Sequence, residues 1–220
     1  SDCADYNSLI KPFDLEKSLS YFHIIDDGDK KGIFYNAHHI ISDATSITIM
    51  ESELKDALEG NLDDVIDLGF LRASHDSFES QFGPAYESAH EFFCEKLADI
   101  EEANALLEDI TGSSTSVSLP IHGVRSRIEE FAGELGITVG TFLNAVFAYT
   151  YSRFAGGDKA YYTFTEHGRH EEYSQNALGM FVRTIPLLVD CKNDSIDNYL
   201  KYFSELSLDS MMNSIYPFRL

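Results

Sequence analysis

Two short segments near the start of the chain are rich in β-branched and aromatic residues. They cover residues 20–25 and 32–38, and an acidic cluster containing a glycine, at residues 26–31, separates them. Strand-forming segments on either side of such a cluster are typical of a β-hairpin. The sequence therefore predicts a hairpin whose second strand ends at the pair His38-His39.

Apolar residues spaced three or four positions apart predict helices along much of the remaining chain. The predicted helices cover residues 47–58 (closed by Gly60), 85–107, 124–135, 138–154 and 195–212, and further strands are predicted at 117–119, 159–165 and 184–190. The helix opened by Thr138 is apolar nearly all round, so we expect it to be buried. Cys94, within the second helix, is expected to be a small buried residue.

Strands and helices alternate on both sides of a run of small residues at 111–116, which is the best linker candidate. This alternation predicts an α/β chain made of two halves. We place the boundary between them so that the first half covers residues 1–112 and the second covers residues 113–220.

Composition and charge exclude several classes of function. The 220 residues carry a formal net charge of −21 and show no basic patch, which disfavours nucleic-acid binding. No apolar run approaches the roughly 20 residues of a membrane helix, so no membrane partner is expected. Three widely spaced cysteines (Cys3, Cys94 and Cys191) show no metal-ligand spacing. We expect no disulfide framework, no metal site and a cytoplasmic location.

The histidine pair is the strongest candidate for chemistry. Successive side chains on a strand point to opposite faces, so His38 and His39 are poorly placed to chelate one metal. One can face the core while the other faces a cleft, where an imidazole is suited to proton transfer near neutral pH. Asp43 follows a short turn and can hold the segment by hydrogen bonding or by pairing with an arginine. On spacing alone, two packed and hydrogen-bonded histidines remain the favoured interpretation.

Several motifs together resemble condensation domains of nonribosomal peptide synthetases and their chloramphenicol acetyltransferase-like relatives. The sequence HHIISD at residues 38–43 resembles the HHxxxDG signature of that family, and PFDL at 12–15 resembles an upstream segment. Residues 168–169 resemble a later GR motif, residues 179–184 a GxFxNT stretch, and residues 216–218 a PFE-type segment. The matches occur in the family's order along almost the whole chain.

The resemblance implies a chloramphenicol acetyltransferase-like fold of two α/β halves, with mixed sheets flanked by helices. Family domains are longer, so we expect this chain to be truncated at both ends, and the resemblance leaves open whether the fragment alone is active. Residues 1–112 would form the second part of the N-terminal half, and residues 113–220 the first part of the C-terminal half.

The implied activity is acyl transfer that makes a peptide bond in secondary metabolite biosynthesis. An acceptor amine attacks a donor thioester, and both substrates are carried on phosphopantetheine by donor and acceptor peptidyl carrier domains next to an adenylation domain. The domain itself is expected to hold no cofactor.

Site residues follow from the same resemblance. The resemblance implies a catalytic motif of His39, His38 and Asp43. In it, His39 acts on the amine, His38 packs inward and Asp43 shapes the segment. The residues expected along the substrate channel are Ala44, Ser46, Arg169 and Arg183.

Two departures from the family pattern leave alternatives open. Ala44 replaces the glycine after the aspartate, where a methyl group can crowd the channel or restrict the turn, and Arg183 replaces an asparagine. An upstream arginine that pairs with the motif aspartate is not found, so Asp43 is expected to lack its usual partner.

The alternatives are a non-catalytic module that docks carrier proteins, an epimerisation domain and an ester-forming acyltransferase. The heterocyclising subtype is disfavoured because it replaces the histidine pair with aspartate. The sequence contains no HExxH, GxSxG, Walker or GxGxxG motif, which leaves zincin, serine hydrolase and nucleotide-binding functions unsupported.

Overall fold

The computed structural model describes residues 6–26, 28, 31–61, 66–104, 115–192 and 195–217. The strands are β1 (Ser20–Asp26), β2 (Lys31–Ala37), β3 (Lys159–Glu166) and β4 (Arg183–Asp190). The α-helices are α1 (Ala44–Glu59), α2 (Gly69–Ser80), α3 (Pro84–Lys96), α4 (Arg125–Glu134), α5 (Val139–Phe154) and α6 (Ile196–Met212). Short 3-10 helices cover Tyr6–Leu9, His39–Ile41, Ile100–Glu102 and Glu172–Ser174.

The chain forms two compact units. The first comprises Ser1–Asp76 with His167–Val182, and the second comprises Ser77–Glu166 with Arg183–Leu220. Among the described residues, each unit contains one two-stranded antiparallel sheet, and the mixed sheets that we expected are not seen in this part of the chain. The predicted boundary at residues 112 and 113, and most of the predicted linker, lie outside the described residues.

The predicted hairpin of the first unit is confirmed. β1 pairs with β2 in a register that places Tyr21 opposite Asn36, and the Tyr21 hydroxyl accepts a 2.7 Å hydrogen bond from the Asn36 amide. The same hydroxyl donates to the carbonyl of Leu9 at 2.9 Å. The His38 N–H donates to the carbonyl of Leu19 at 2.8 Å, which fixes the chain at the point where β2 ends. Residues 27, 29 and 30 of the predicted turn lie outside the described residues.

The second unit has an apolar core built by its sheet and by helices α5 and α6. Its buried members come from β3, β4, α5 and α6, together with the residue that follows β4. They are Ala145, Ala148, Ala160, Leu187, Val189, Cys191, Tyr199, Leu200, Phe203 and Leu206. The Tyr199 hydroxyl donates to the Ala145 carbonyl at 2.7 Å, and burial raises the pKa of Tyr199 above its usual value. This bond satisfies a polar group that would otherwise be costly to bury.

Helix starts in the second unit follow the sequence signals. The Thr138 side chain accepts from the Thr141 N–H at the start of α5, and Ser195 accepts from the Asn198 N–H at the start of α6. Such side-chain caps satisfy backbone donors that have no partner within the helix. The predictions for strands β3 and β4 are also confirmed to within one residue at each end.

Two predictions about regular structure were wrong, and one helix was missed. The second predicted helix begins as expected, but α3 ends at Lys96 and a short turn and 3-10 helix follow it, while residues 105–107 lie outside the described residues. Residues 117–119 form no strand, because no described strand pairs with them, and Val117 is 90% exposed. Helix α2 was not predicted at all.

Burial also differs from the sequence prediction at two places. Helix α5 buries one face, with Ala145 and Ala148 fully buried, whereas Leu143 and Phe147 on its other side are about half exposed. An all-round apolar pattern cannot show which face has a partner. Cys94 is exposed, since it lies on the outer face of α3, while Cys191 is buried.

No single described helix is long and apolar enough to cross a membrane. Helices α4 and α5 reach that length and composition only as a pair, across a bend of 98°.

Candidate functional site

The histidine pair lies in a segment, residues 38–43, that connects β2 to α1. His38 is half-buried, and its Nδ1 atom accepts a 3.1 Å hydrogen bond from the Ile40 N–H, which caps the short 3-10 helix His39–Ile41. The edge of its ring also faces Phe13, with the ring centroids 5.8 Å apart. The pair is therefore not part of the strand. Its two side chains still separate as expected, with His38 turned inward and His39 exposed.

Asp43 ends the histidine segment and begins α1. Its Oδ1 atom accepts from the Ser46 N–H at 2.8 Å, so Asp43 is the N-cap of the helix. Its Oδ2 atom accepts from the Phe181 N–H at 3.1 Å. The side chain is only 1% exposed, which places a charged carboxylate inside the first unit.

Arg169 neutralises this buried carboxylate. Its Nη2 atom donates to Asp43 Oδ1 at 2.9 Å and to Oδ2 at 3.1 Å, while its Nη1 atom donates to the carbonyls of Ser174 and Ala177. The guanidinium also lies over the Phe181 ring, 4.1 Å from its centroid. The upstream arginine that the resemblance implies is not found in this sequence, and Arg169, 126 residues downstream of Asp43, is the partner that the structure shows.

The environment of Asp43 favours its charged form. Burial by itself raises the pKa of the Asp43 carboxyl, but hydrogen bonds from the backbone N–H groups of Ser46 and Phe181 and from the side chains of Ser46 and Arg169 outweigh burial. The net result is a pKa below the usual aspartate value. Asp43 is therefore an anchored anion in this structure, which suits a structural role rather than proton transfer.

This lowered pKa predicts a specific pH dependence of stability. A carboxylate whose folded-state pKa is depressed stabilises the fold fully above its unfolded pKa of about 3.9, and the contribution is lost as pH falls through the folded value. We expect the difference in unfolding free energy between the native chain and Asp43→Asn to be constant near neutral pH and to shrink below about pH 4.

Urea titrations of both proteins across this pH range will measure that difference, and taking the difference cancels the contributions of the other carboxylates. A gap that widens as the pH falls would contradict the assignment.

The backbone at position 168, directly before Arg169, requires a glycine. Its φ angle of +66° lies in the left-handed region, and a methyl group added there would collide with the backbone carbonyl of Phe181. The chain can turn Arg169 toward Asp43 at this point only because Gly168 has no side chain.

Gly168→Ala is expected to destabilise the first unit by more than the roughly 1–2 kcal/mol cost of a left-handed alanine. Gly60→Ala is the matched control, since Gly60 also has a positive φ of 79° but an added methyl group meets nothing within 4 Å. Urea unfolding will compare the two losses, and equal losses would show that the close approach to Phe181 has no cost.

The structure brings together part of the predicted site. His39, Asp43, Ser46 and Arg169 all lie in the first unit, and both Ser46 and Arg169 are buried. Arg183 lies in the second unit, where it begins β4 and its Nη1 atom donates to Ser214 Oγ at 3.2 Å.

Ala44 does not disturb the backbone. It is the first residue of α1 and is exposed, and no described residue other than glycine has a positive φ. A glycine is therefore not required by the backbone at this position, which removes one of the two reasons for treating Ala44 as a defect.

Two further histidines flank Arg169. His167 and His170 are exposed, with their ring centroids 5.1 Å apart, and His167 Nδ1 accepts from the Arg169 N–H at 3.0 Å. This bond orders the turn that carries Arg169.

Sequence reasoning identified Asp43 and Arg169 separately but missed the bond between them. A usable signal was present, since a buried aspartate needs a cation and Arg169 lies in one of the motifs described above.

The family profile described as "Condensation domain" matches residues 4–220. Surfactin synthase subunit 1 of Bacillus subtilis (strain 168) is 25% identical over 230 residues, covering 99% of this chain and 6% of the synthase.

Two solved structures show the same fold. VibH, a nonribosomal peptide synthetase condensation enzyme, superposes with a TM-score of 0.68 at 18% identity, covering 91% of this chain and 49% of its own. The EpoB cyclization-docking bidomain of Sorangium cellulosum has a TM-score of 0.74 at 17% identity, covering 92% of this chain and 44% of its own. These likenesses confirm the expected fold class. The chain thus spans half or less of the solved chains and a small part of the synthase.

Proposed function

Since this chain belongs to the condensation-domain family, we propose that it carries the histidine motif of an enzyme that forms amide bonds in nonribosomal peptide synthesis. The observation that supports this proposal most directly is the placement of His39. Its imidazole is exposed, while the segment that carries it is fixed by the buried ion pair of Asp43 and Arg169. An accessible base on a rigid support is what positioning-dependent catalysis requires.

The proposed reaction joins two tethered substrates. The amine of the acceptor attacks the carbonyl carbon of the donor thioester, the new C–N bond forms, the C–S bond breaks and the donor's carrier leaves as a free thiol. The attacking nitrogen loses one proton, and the thiolate takes one up. His39 is the group that we assign to the amine, either as the acceptor of its proton or as the group that orients it. His38 and Asp43 act on the segment rather than on the substrate.

The partners of this reaction are proposed on the same basis. Donor and acceptor carrier domains deliver their substrates on phosphopantetheine, and an adenylation domain loads them, so the condensation domain itself needs no cofactor. Such an assembly works in the cytoplasm.

The other predicted channel residues are Ala44, exposed beside the histidine segment, and Arg183 in the second unit. We retain Ala44 and Arg183 as proposed channel residues, whereas Ser46 and Arg169, which were also predicted there, are buried and are proposed to support the histidine segment.

Product formation will test the proposed function. The natural protein that contains this chain is supplied with an aminoacyl donor and an aminoacyl acceptor, each loaded on its carrier, and the products are analysed by mass spectrometry. An amide-linked product that depends on the protein supports the proposal.

Binding of both loaded carriers without product, across several donor and acceptor pairs, would overturn it in favour of a docking module. An ester-linked product would identify the related acyltransferase instead.

A further inference from the structure

Ser46 has an unusually complete set of polar contacts for a single buried hydroxyl group. It is the third residue of α1 and is 2% exposed. Its Oγ atom lies 2.7 Å from the Gly179 carbonyl oxygen and 3.0 Å from the Gly179 nitrogen. It also lies 2.9 Å from Asp43 Oδ1 and 2.9 Å from Arg169 Nη2.

The chemistry of these four neighbours fixes the direction of the bonds. A hydroxyl group offers one proton and two lone pairs. The Gly179 N–H and the Arg169 guanidinium can only donate, so they occupy both lone pairs of Ser46. The remaining proton is left for the Gly179 carbonyl or the Asp43 carboxylate, which can only accept. Every bonding position of the hydroxyl group is therefore used.

These bonds connect parts of the chain that are far apart in sequence. Ser46 and Gly179 are separated by 133 residues, and the Ser46 hydroxyl accepts from the Gly179 N–H and lies within hydrogen-bonding distance of the Gly179 carbonyl oxygen. On its other side Ser46 holds Asp43, the last residue of the histidine segment, through its backbone N–H and its hydroxyl group. A shift of Gly179 or of Arg169 is thus transmitted to the histidine segment.

We propose that Ser46 is a positioning residue for His39, whose hydroxyl group fixes the histidine segment against Gly179 and Arg169. This inference rests on the proposed function of His39, and it adds a residue whose contribution differs from that of a substrate-channel residue. Ser46 is only 2% exposed and contacts Asp43, so we expect it to act through Asp43 and the histidine segment.

The first test follows the His39 ring itself and does not depend on activity. The His39 imidazole resonance is assigned by NMR in the 220-residue chain through its loss in His39→Ala, and its position is compared in Ser46→Ala and Ser46→Cys. We expect Ser46→Ala to shift or split this resonance, and Ser46→Cys, which replaces the hydroxyl by a slightly larger and weakly bonding thiol, to produce a smaller change in the same direction.

Thr48→Ala is the matched control. Thr48 also lies on α1 and its hydroxyl group also makes a hydrogen bond, but that bond goes to Ala44 within the same helix, at 3.3 Å. We expect no change of the His39 resonance in this variant. If Ser46→Ala fails to fold, the Ser46→Cys spectrum decides, and a native His39 resonance in a folded Ser46→Cys chain would overturn the proposal.

The second test separates positioning from simple stabilisation. In the natural protein that contains this chain, Ser46→Ala is expected to lower kcat for amide formation by about tenfold to a hundredfold, with KM for the loaded carriers nearly unchanged, as small displacements of a reacting group do. A displaced His39 resonance with native kcat would show a purely structural role and overturn the proposal. A displaced resonance in a protein whose native form makes no product supports the anchoring of His39 while removing the proposed function.

Discussion

Replacing Arg169 by methionine is expected to destabilise the first unit by about 3–5 kcal/mol, the usual cost of removing one partner from a buried ion pair. The loss is large because the substitution leaves the Asp43 carboxylate 1% exposed without its cation. It also removes the guanidinium group that donates hydrogen bonds to the carbonyls of Ser174 and Ala177. Unpaired buried polar groups carry their full desolvation cost.

The measurement needs a signal from the first unit alone, since the chain divides into two compact units and two-state unfolding is not assured for such chains. Hydrogen exchange followed by mass spectrometry gives that signal for peptides around residues 43–59 and 177–182. We expect these peptides to lose protection in Arg169→Met, while peptides from α5 and α6 in the second unit keep it.

The double variant Asp43→Asn, Arg169→Met is the control for the charge. Asparagine is as good an N-cap as aspartate, so it keeps the start of α1 while removing the unpaired charge. We expect the double variant to be more stable than Arg169→Met alone, with part of the loss remaining because the two carbonyls still lack their donor. A double variant less stable than the single one would show that the ion pair is not the source of the effect.

Local signals in the sequence predicted the elements that surround the site. The hairpin, and the start of α6 at Ser195, depend on residues adjacent in sequence, so turn chemistry and capping identify them. Helix α2 was missed, although its apolar residues Phe70, Leu71 and Phe78 lie at helical spacing. The exposed side of α5 shows the opposite problem, because apolar spacing indicates a helix but not the face that has a partner.

The pairing of Asp43 with Arg169 could not be predicted from local signals. The two residues are 126 positions apart, and each is explained by its own motif. Their contact depends on Gly168, whose left-handed backbone turns the chain toward Phe181 and Asp43. The motif resemblance identified all of these residues, while only the folded geometry shows that they form one buried cluster behind His39.

Replacing His39 by alanine is expected to lower the rate of amide formation by about 10²- to 10⁴-fold, the range typical of losing a general acid or base. The fold should be retained, because the imidazole is exposed and the segment is held by Asp43 and not by the His39 ring. The measurement is the rate of product formation from loaded carriers, with circular dichroism to confirm folding. His75→Ala is the control, since His75 is also exposed but lies on α2 beside Asp76.

The pH dependence of the same assay separates the two roles assigned to His39. If the imidazole accepts the amine proton, the shape of the pH–rate profile differs between the native protein and His39→Ala. If the imidazole only orients the amine, the alanine variant loses rate by a constant factor at every pH. A native rate in His39→Ala would contradict both roles. It would also leave the buried cluster of Asp43, Ser46 and Arg169 as a structural support without a catalytic residue in front of it.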